Sequence, residues 1–286
     1  QQEKEKGGFP DYAANGDDIL TPAAERILVF CYGSNGTKQL RARIENNELR
    51  SHPAWLENYE RVFCKSSSLW NGGVASLAPC EGSVTYGAVV SLTLEEKERL
   101  DCFEGSYRTE ELKIKYGTPD CATEAEAFAY VAGQGINTYG SGHYTETMTT
   151  PPSQQYLTAI YCMLAEHWPR DVSSVITIAS YETTQKSVAS VSQWVLPQMK
   201  DLSLEALCVV INSQLEVPWT MPHTIGEFVG KLNAIGISST LKLIRELARE
   251  GKSGLNPKLG RANQLGFQSN TLDTIEKVLS TAMPPG

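Results

Sequence analysis

Several things are scarce in this chain, and each scarcity excludes a class of function. Its seven cysteines (Cys31, Cys64, Cys80, Cys102, Cys121, Cys162, Cys208) are odd in number and scattered, and no CxxC pair occurs among them. Neither a zinc site nor a dithiol redox motif is therefore expected. Most of these thiols lie in apolar runs, where cysteine serves as a small hydrophobe. That usage reads as a reducing compartment, either the cytoplasm or an organelle interior after removal of a targeting segment. The histidines His52, His143, His167 and His223 have no metal-ligand spacing and are assigned no role. No apolar run approaches the roughly 18 residues that a membrane span requires, so none is expected. Positive charge is also in deficit. The net charge of −8 argues against a nucleic-acid partner, because a phosphate backbone selects clustered Lys and Arg.

What is present suggests two units. Residues 1–168 carry 14 basic and 23 acidic side chains, whereas 169–286 carry 11 and 10, so the two parts have different surfaces. Residues 1–25 begin with a charged, glycine-containing stretch without apolar periodicity and read as a flexible leader. Residues 26–169 read as a strand-rich domain, and residues 170–286 as a helical appendage.

Arg26–Tyr32 is a short β-branched and aromatic run, which predicts a buried strand. It ends at Gly33-Ser34-Asn35-Gly36, a dense turn signal, after which Thr37 opens a helix with Leu40 and Ile44 on one face. Strands are predicted at Tyr59–Lys65, Val74–Leu77, Val84–Leu92, Arg108–Tyr116 and Ala125–Val131. Thr93 with Glu96 three residues on is a capping-box pattern, opening a helix over Leu94–Phe103. Ser153 caps a further helix, Gln154–His167. From Val172 onward the period reads as helical, with apolar residues three and four apart in Ser187–Val195, Leu204–Gln214, Ile225–Ile235, Leu241–Glu250 and Leu272–Leu279. Two joints look alike, Ile235-Gly236-Ile237 and Leu265-Gly266-Phe267. Either a weak duplication or convergence of helix joints on a glycine C-cap accounts for them.

Three places offer chemistry. Tyr32-Gly33-Ser34-Asn35 runs from a strand through a glycine turn to a helix, presenting backbone N–H groups that suit a carboxylate or an oxyanion. Taken alone, most such turns are structural. Glu104 is flanked by Phe103, Gly105 and Tyr107; partial withdrawal from water there suits a general acid or base, although an isolated glutamate at a helix end is more often simply solvated. Trp70-Asn71-Gly72-Gly73 reads as a tight hairpin.

In combination these segments resemble the gamma-glutamyl cyclotransferase-like family. Y-G-S-N at Tyr32–Asn35, W-x-G-G-V-A at Trp70–Ala75, Y-G-x-V-V at Tyr86–Val90, L-D-x-x-E-G-x-Y at Leu100–Tyr107 and P-S-x-x-Y at Pro152–Tyr156 follow in that family's order. The resemblance covers Arg26 to about Trp168, roughly half the chain. It implies an α+β fold, a small mixed β-barrel with packed helices, followed here by an all-helical C-terminal domain. It also implies the cyclisation of a small-molecule γ-glutamyl amide or peptide to 5-oxoproline with release of an amine. Glu104 would be the catalytic proton shuttle, and Tyr32, Gly33, Ser34, Asn35, Tyr107 and Tyr156 would bind substrate. No metal or organic cofactor is implied. Two departures bear on the pocket mouth and hence on substrate identity. Gly105-Ser106 leads straight to Tyr107 without the insertion some members carry, and Asn35 is followed by Gly36-Thr37 rather than an apolar residue.

The rival reading is a non-catalytic structural or interaction subunit of a larger assembly, with residues 170–286 as the surface for a protein partner. Lys242, Arg245, Arg249, Lys252, Lys258 and Arg261 form a locally basic stretch that reads mainly as a solvated face. Trp219, between Pro218 and Thr220, is either a partner anchor or a plug between helices.

Overall fold

The computed structural model describes residues 26–105, 107–132, 151–173, 175–181 and 188–282. The leader expected at residues 1–25 and His143 lie outside them.

The strand-rich part begins with β1 (Arg26–Cys31), α1 (Thr37–Ile44), β2 (Ser51–Ser67) and β3 (Gly72–Thr93). It continues with α2 (Leu94–Phe103), β4 (Tyr107–Thr118), β5 (Cys121–Ala132) and α3 (Gln154–Ala165). β3 pairs antiparallel with β1, β1 runs parallel to β5 at Val29↔Phe128, and β5 pairs antiparallel with β4. β4 meets β2 at Ala54↔Tyr116, and β2 returns to β3. The pairing therefore closes on itself as a small mixed ring of five strands, in line with the α+β expectation. The closing contacts are short, one pair between β1 and β5 and two between β2 and β4.

The two long strands β2 and β3 stay paired from Ser51↔Val90 to Ser67↔Gly72, with register shifts at Glu57/Tyr59 and Phe63/Lys65. Such irregularities bend a strand, which a small ring requires. Gly87 marks the tightest point. A Cβ there would lie 2.2 Å from the Cys31 carbonyl oxygen, so β1 and β3 approach each other only because residue 87 has no side chain. The Gly87 carbonyl also accepts from Trp168 Nε1 at 2.7 Å, tying the end of α3 to the strands.

Beyond the short helix α4 (Arg170–Ser173), the chain departs from the sequence expectation. Residues 175–181 and 188–195 do not continue helical. They form strands β6 (Val175–Tyr181) and β7 (Val188–Val195), paired antiparallel, and β6 joins β2 at Val62↔Ala179. The valines at 188, 191 and 195 have helical spacing, but this stretch is rich in β-branched and serine residues, which lose side-chain freedom or compete for the backbone in a helix. Pairing with an available strand outweighed a weak periodicity.

The helices follow: α5 (Leu204–Gln214), α6 (His223–Ala234), α7 (Thr240–Glu250), α8 (Leu255–Arg261) and α9 (Ser269–Leu279). Among the described residues, no helix is long and apolar enough to cross a membrane. One apolar cluster runs unbroken from Phe30, Phe63 and Leu77 in the strands through Ile160 and Met163 of α3 to Leu207 of α5 and Phe228 of α6. The helical region is thus packed on the strand-rich part rather than tethered to it.

The two similar joints differ in detail. At the first, Gly236 has φ +82° and the Ile237 N–H bonds to the Leu232 carbonyl, a glycine-closed helix end. At the second, the left-handed residue is Asn263 (φ +53°), and Gly266 instead makes room for Asn256. Matching glycines there have different jobs. In the basic stretch, Lys258 pairs with Glu246 and Glu250, Arg249 with Glu246, and Lys252 with Asp273 and Glu276. Trp219 packs against Phe228 with ring centres 6.1 Å apart, and its backbone is bonded at both ends by the Asn212 side chain. It fills a helix joint.

Candidate active site

Glu104 owes its position to the way α2 starts and stops. The Thr93 hydroxyl accepts from the Glu96 N–H at 3.2 Å while the Glu96 carboxylate accepts from the Thr93 N–H at 2.8 Å, which fixes the first turn. Eleven residues after Thr93, Glu104 leaves helical geometry (φ −105°, ψ 13°), and its carbonyl accepts from Tyr107 N–H at 2.8 Å. This turn swings the Glu104 side chain toward the loop after β1. There its Oε1 accepts from Asn35 Nδ2 at 3.1 Å and from Arg43 Nη1 at 3.0 Å. The carboxylate faces the glycine turn.

A helix C-terminus is a poor place for a carboxylate, because the last carbonyls carry partial negative charge. Arg43 offsets this. The pair is deeply placed, with side-chain exposures of 6% for Arg43 and 11% for Glu104. Burial pulls the Arg43 guanidinium below its ordinary value and the Glu104 charge opposes that shift; arginine stays charged throughout. Arg43 Nη1 also donates to Asn35 Oδ1 at 2.6 Å, so the Asn35 amide is held from both ends. Its Nη2 donates to the Met221 carbonyl at 3.0 Å.

The loop is pinned from below. Arg61, fully buried and pulled down to about 10 by that burial, donates from Nε to the Tyr32 carbonyl at 2.8 Å and from Nη2 to the Tyr86 carbonyl at 2.7 Å. The Tyr32 hydroxyl donates to the Tyr130 carbonyl. The Tyr156 hydroxyl accepts from the Ala75 N–H at 2.9 Å, and the Tyr107 hydroxyl donates to the Ala75 carbonyl at 3.1 Å. Burial raises Tyr156 to about 12, and Tyr107 is raised as well, so both act as neutral hydrogen-bonding walls at physiological pH. Gly33 passes under Tyr156 so closely that a Cβ would lie 3.1 Å from its hydroxyl.

A cavity of about 440 Å³ opens between these elements. Tyr32, Gly33, Ser34, Asn35, Glu104, Tyr107 and Tyr156 all line it. In one respect the loop differs from the sequence picture. The end of α1 does not point its amide at the cavity, because Gly36 supplies no capping side chain and Glu166 accepts from the Thr37 N–H at 3.1 Å and from its hydroxyl.

Other residues at the cavity were missed. Arg43 had a signal: a charged residue three after Leu40 and one before Ile44, on the buried face of α1. Lys65, whose ammonium lies 4.0 Å from the centre of the Tyr107 ring, sits two residues before the end of β2, where the sequence pattern shows only a strand terminus. Pro222 and His223 also line the cavity, and no local pattern links them to residue 104.

The family model described as "Gamma-glutamyl cyclotransferase, AIG2-like" matches residues 29–156, just under half of the chain. A solved structure entitled "Gamma-glutamyl cyclotransferase" is similar at 25% identity, covering 52% of this chain and 85% of its own, with a TM-score of 0.43. An uncharacterized protein from Homo sapiens is similar at 26% identity over the same shares, also with a TM-score of 0.43. An AIG2-like protein from Mus musculus is similar at 14% identity, covering 38% of this chain and 78% of its own, with a TM-score of 0.30. None of the curated proteins matches the chain. Residues 29–156, which contain the glycine turn, Glu104 and Tyr156, are thus similar to the gamma-glutamyl cyclotransferase-like family.

Proposed function

We propose that the protein is a cofactor-independent γ-glutamyl cyclotransferase, converting a γ-glutamyl amide or peptide to 5-oxoproline with release of an amine. The observation that carries this reading is the Glu104 carboxylate, held by Asn35 and Arg43 at a cavity that the glycine turn also lines. Its Oε1 takes both bonds, and Oε2 has no hydrogen-bond partner among the described residues, leaving an acceptor for a substrate amine.

Nucleophile and electrophile belong to one molecule, so catalysis consists mainly of folding the substrate and moving protons. The α-ammonium must first lose a proton to solvent water. The neutral nitrogen attacks the γ-carbonyl carbon, a C–N bond forms, and the carbonyl oxygen becomes an oxyanion beside the loop N–H groups. Glu104 takes the second proton from the newly bonded nitrogen and gives it to the leaving nitrogen as the old C–N bond breaks. The carboxylate ends as it began. Lys65, at the same cavity, adds positive charge for the substrate's α-carboxylate.

The test is release of 5-oxoproline by the full chain from a panel of γ-glutamyl amines, peptides and amides. Release that disappears in Glu104→Gln supports the reading. No release from any member by the wild type would leave the non-catalytic subunit as the better account.

A further inference from the structure

Arg43 is connected more widely than a charge partner needs to be. Its guanidinium bonds Glu104 Oε1, Asn35 Oδ1 and the Met221 carbonyl, and its Cζ lies 5.1 Å from the Phe103 ring centre. Those four contacts come from the end of α2, the glycine turn and the turn before α6. The last is outside residues 29–156 matched by the family model. The link is reinforced nearby: the Met221 N–H donates to Gln39 Oε1 at 3.1 Å, and Lys38 Nζ donates to the Leu215 carbonyl. Both partners sit on α1, beside Arg43.

Stability alone does not account for this residue. A buried ion pair costs desolvation that its attraction only partly repays, and apolar replacements are often neutral or better. The Arg43 Nε is moreover buried without a partner among the described residues, an added penalty. A planar group with several donors in fixed directions does, however, set the position of everything it bonds.

We infer that Arg43 is a positioning residue that fixes the Glu104 carboxylate against the turn at residues 219–223, making the C-terminal region a working part of the site. This rests on the reading of Glu104 as the proton shuttle. Arg43 itself need not touch substrate. Its loss therefore lowers the rate of the chemical step and leaves substrate affinity nearly unchanged.

The experiment compares full-length wild type and Arg43→Ala on a γ-glutamyl peptide that the wild type turns over. A misplaced shuttle predicts kcat lower by about 100-fold with KM changed less than about threefold. Millimolar guanidinium chloride restores at least about a tenth of the lost kcat, whereas equal sodium chloride does not, because only the former refills the vacated site. A wild-type kcat overturns the inference, as does a KM increase at unchanged kcat, or loss without rescue in a folded protein. Should Arg43→Ala fail to fold, Arg43→Lys keeps the charge without the planar donors and is expected to lose kcat likewise; a wild-type kcat there overturns the inference. Should the wild type itself turn over nothing, the proposed reaction has failed, and positioning is decided by a crystal structure of Arg43→Lys. Glu104 displaced from Asn35 supports the inference, and Glu104 still bonded there overturns it.

Discussion

Arg43 Nη1 and Glu104 Oε1 lie 3.0 Å apart across 61 residues of sequence, and the Asn35 side chain bonds to both. One helix face, one helix end and one glycine turn thus converge on a single carboxylate oxygen. The arrangement explains why Glu104 can sit at a helix C-terminus, and it makes the site sensitive to substitutions that leave the fold alone.

Lys65 is expected to govern substrate affinity. Its ammonium is placed over Tyr107 at the cavity wall, where a substrate carboxylate would meet it. Lys65→Met is expected to raise KM about tenfold at similar kcat, corresponding to about 1.4 kcal/mol of binding. Steady-state kinetics on one γ-glutamyl peptide checks this. An unchanged KM assigns carboxylate recognition to the loop alone.

Tyr156 ties α3 to the strand that follows the Trp70 turn. It is 3% exposed and its hydroxyl accepts from the Ala75 N–H. Tyr156→Phe leaves that buried N–H without its acceptor and is expected to cost about 1–2 kcal/mol in urea unfolding. No loss would mean that another acceptor replaces the phenol.

Gly87 tests the close approach of β1 and β3. Gly87→Ala drives a methyl against the Cys31 carbonyl, a backbone atom with no room to yield. A loss of about 3 kcal/mol, or failure to fold, is expected. Gly82→Ala is a useful contrast at a site with open space but φ +78°, where only backbone strain of about 1 kcal/mol is expected.

His167 gives the fold a pH dependence. Burial lowers it from 6.5 to about 4, and its Nε2 lies 2.6 Å from Ser51 Oγ. The unfolded chain takes up the proton first, so this stabilising contribution is complete above pH 6.5 and is lost as pH falls toward 4. The loss is on the order of 3 kcal/mol. Glu166, raised by burial, acts oppositely: its contribution is present at low pH and lost as pH rises. It stands in both proteins of the comparison. In His167→Gln, thermal stability is expected to fall less steeply between pH 6.5 and 4 than in the wild type. Parallel curves would contradict the assignment.

Much of this architecture was legible because it is written locally. Thr93 and Glu96 announce the start of α2 within four residues, and the observed capping box forms as they require. The glycine turn and Glu104 were each ambiguous alone and became informative through the order of neighbouring motifs. What was illegible is long-range. Whether Val188–Val195 becomes helix or strand depends on whether β6 is there to pair with it. The importance of Arg43 depends on a carbonyl at residue 221 that no periodicity announces. Lys65 gains its role from the ring of Tyr107, 42 positions away, which only the folded strands bring near.

The most direct measurement is 5-oxoproline release by full-length wild type and Glu104→Gln, assayed in parallel on the γ-glutamyl panel with matched circular dichroism spectra. The account predicts release by the wild type and a loss of about 10³-fold in the variant, the scale of a general acid–base group. Equal release by both proteins, or none by the wild type, would contradict it.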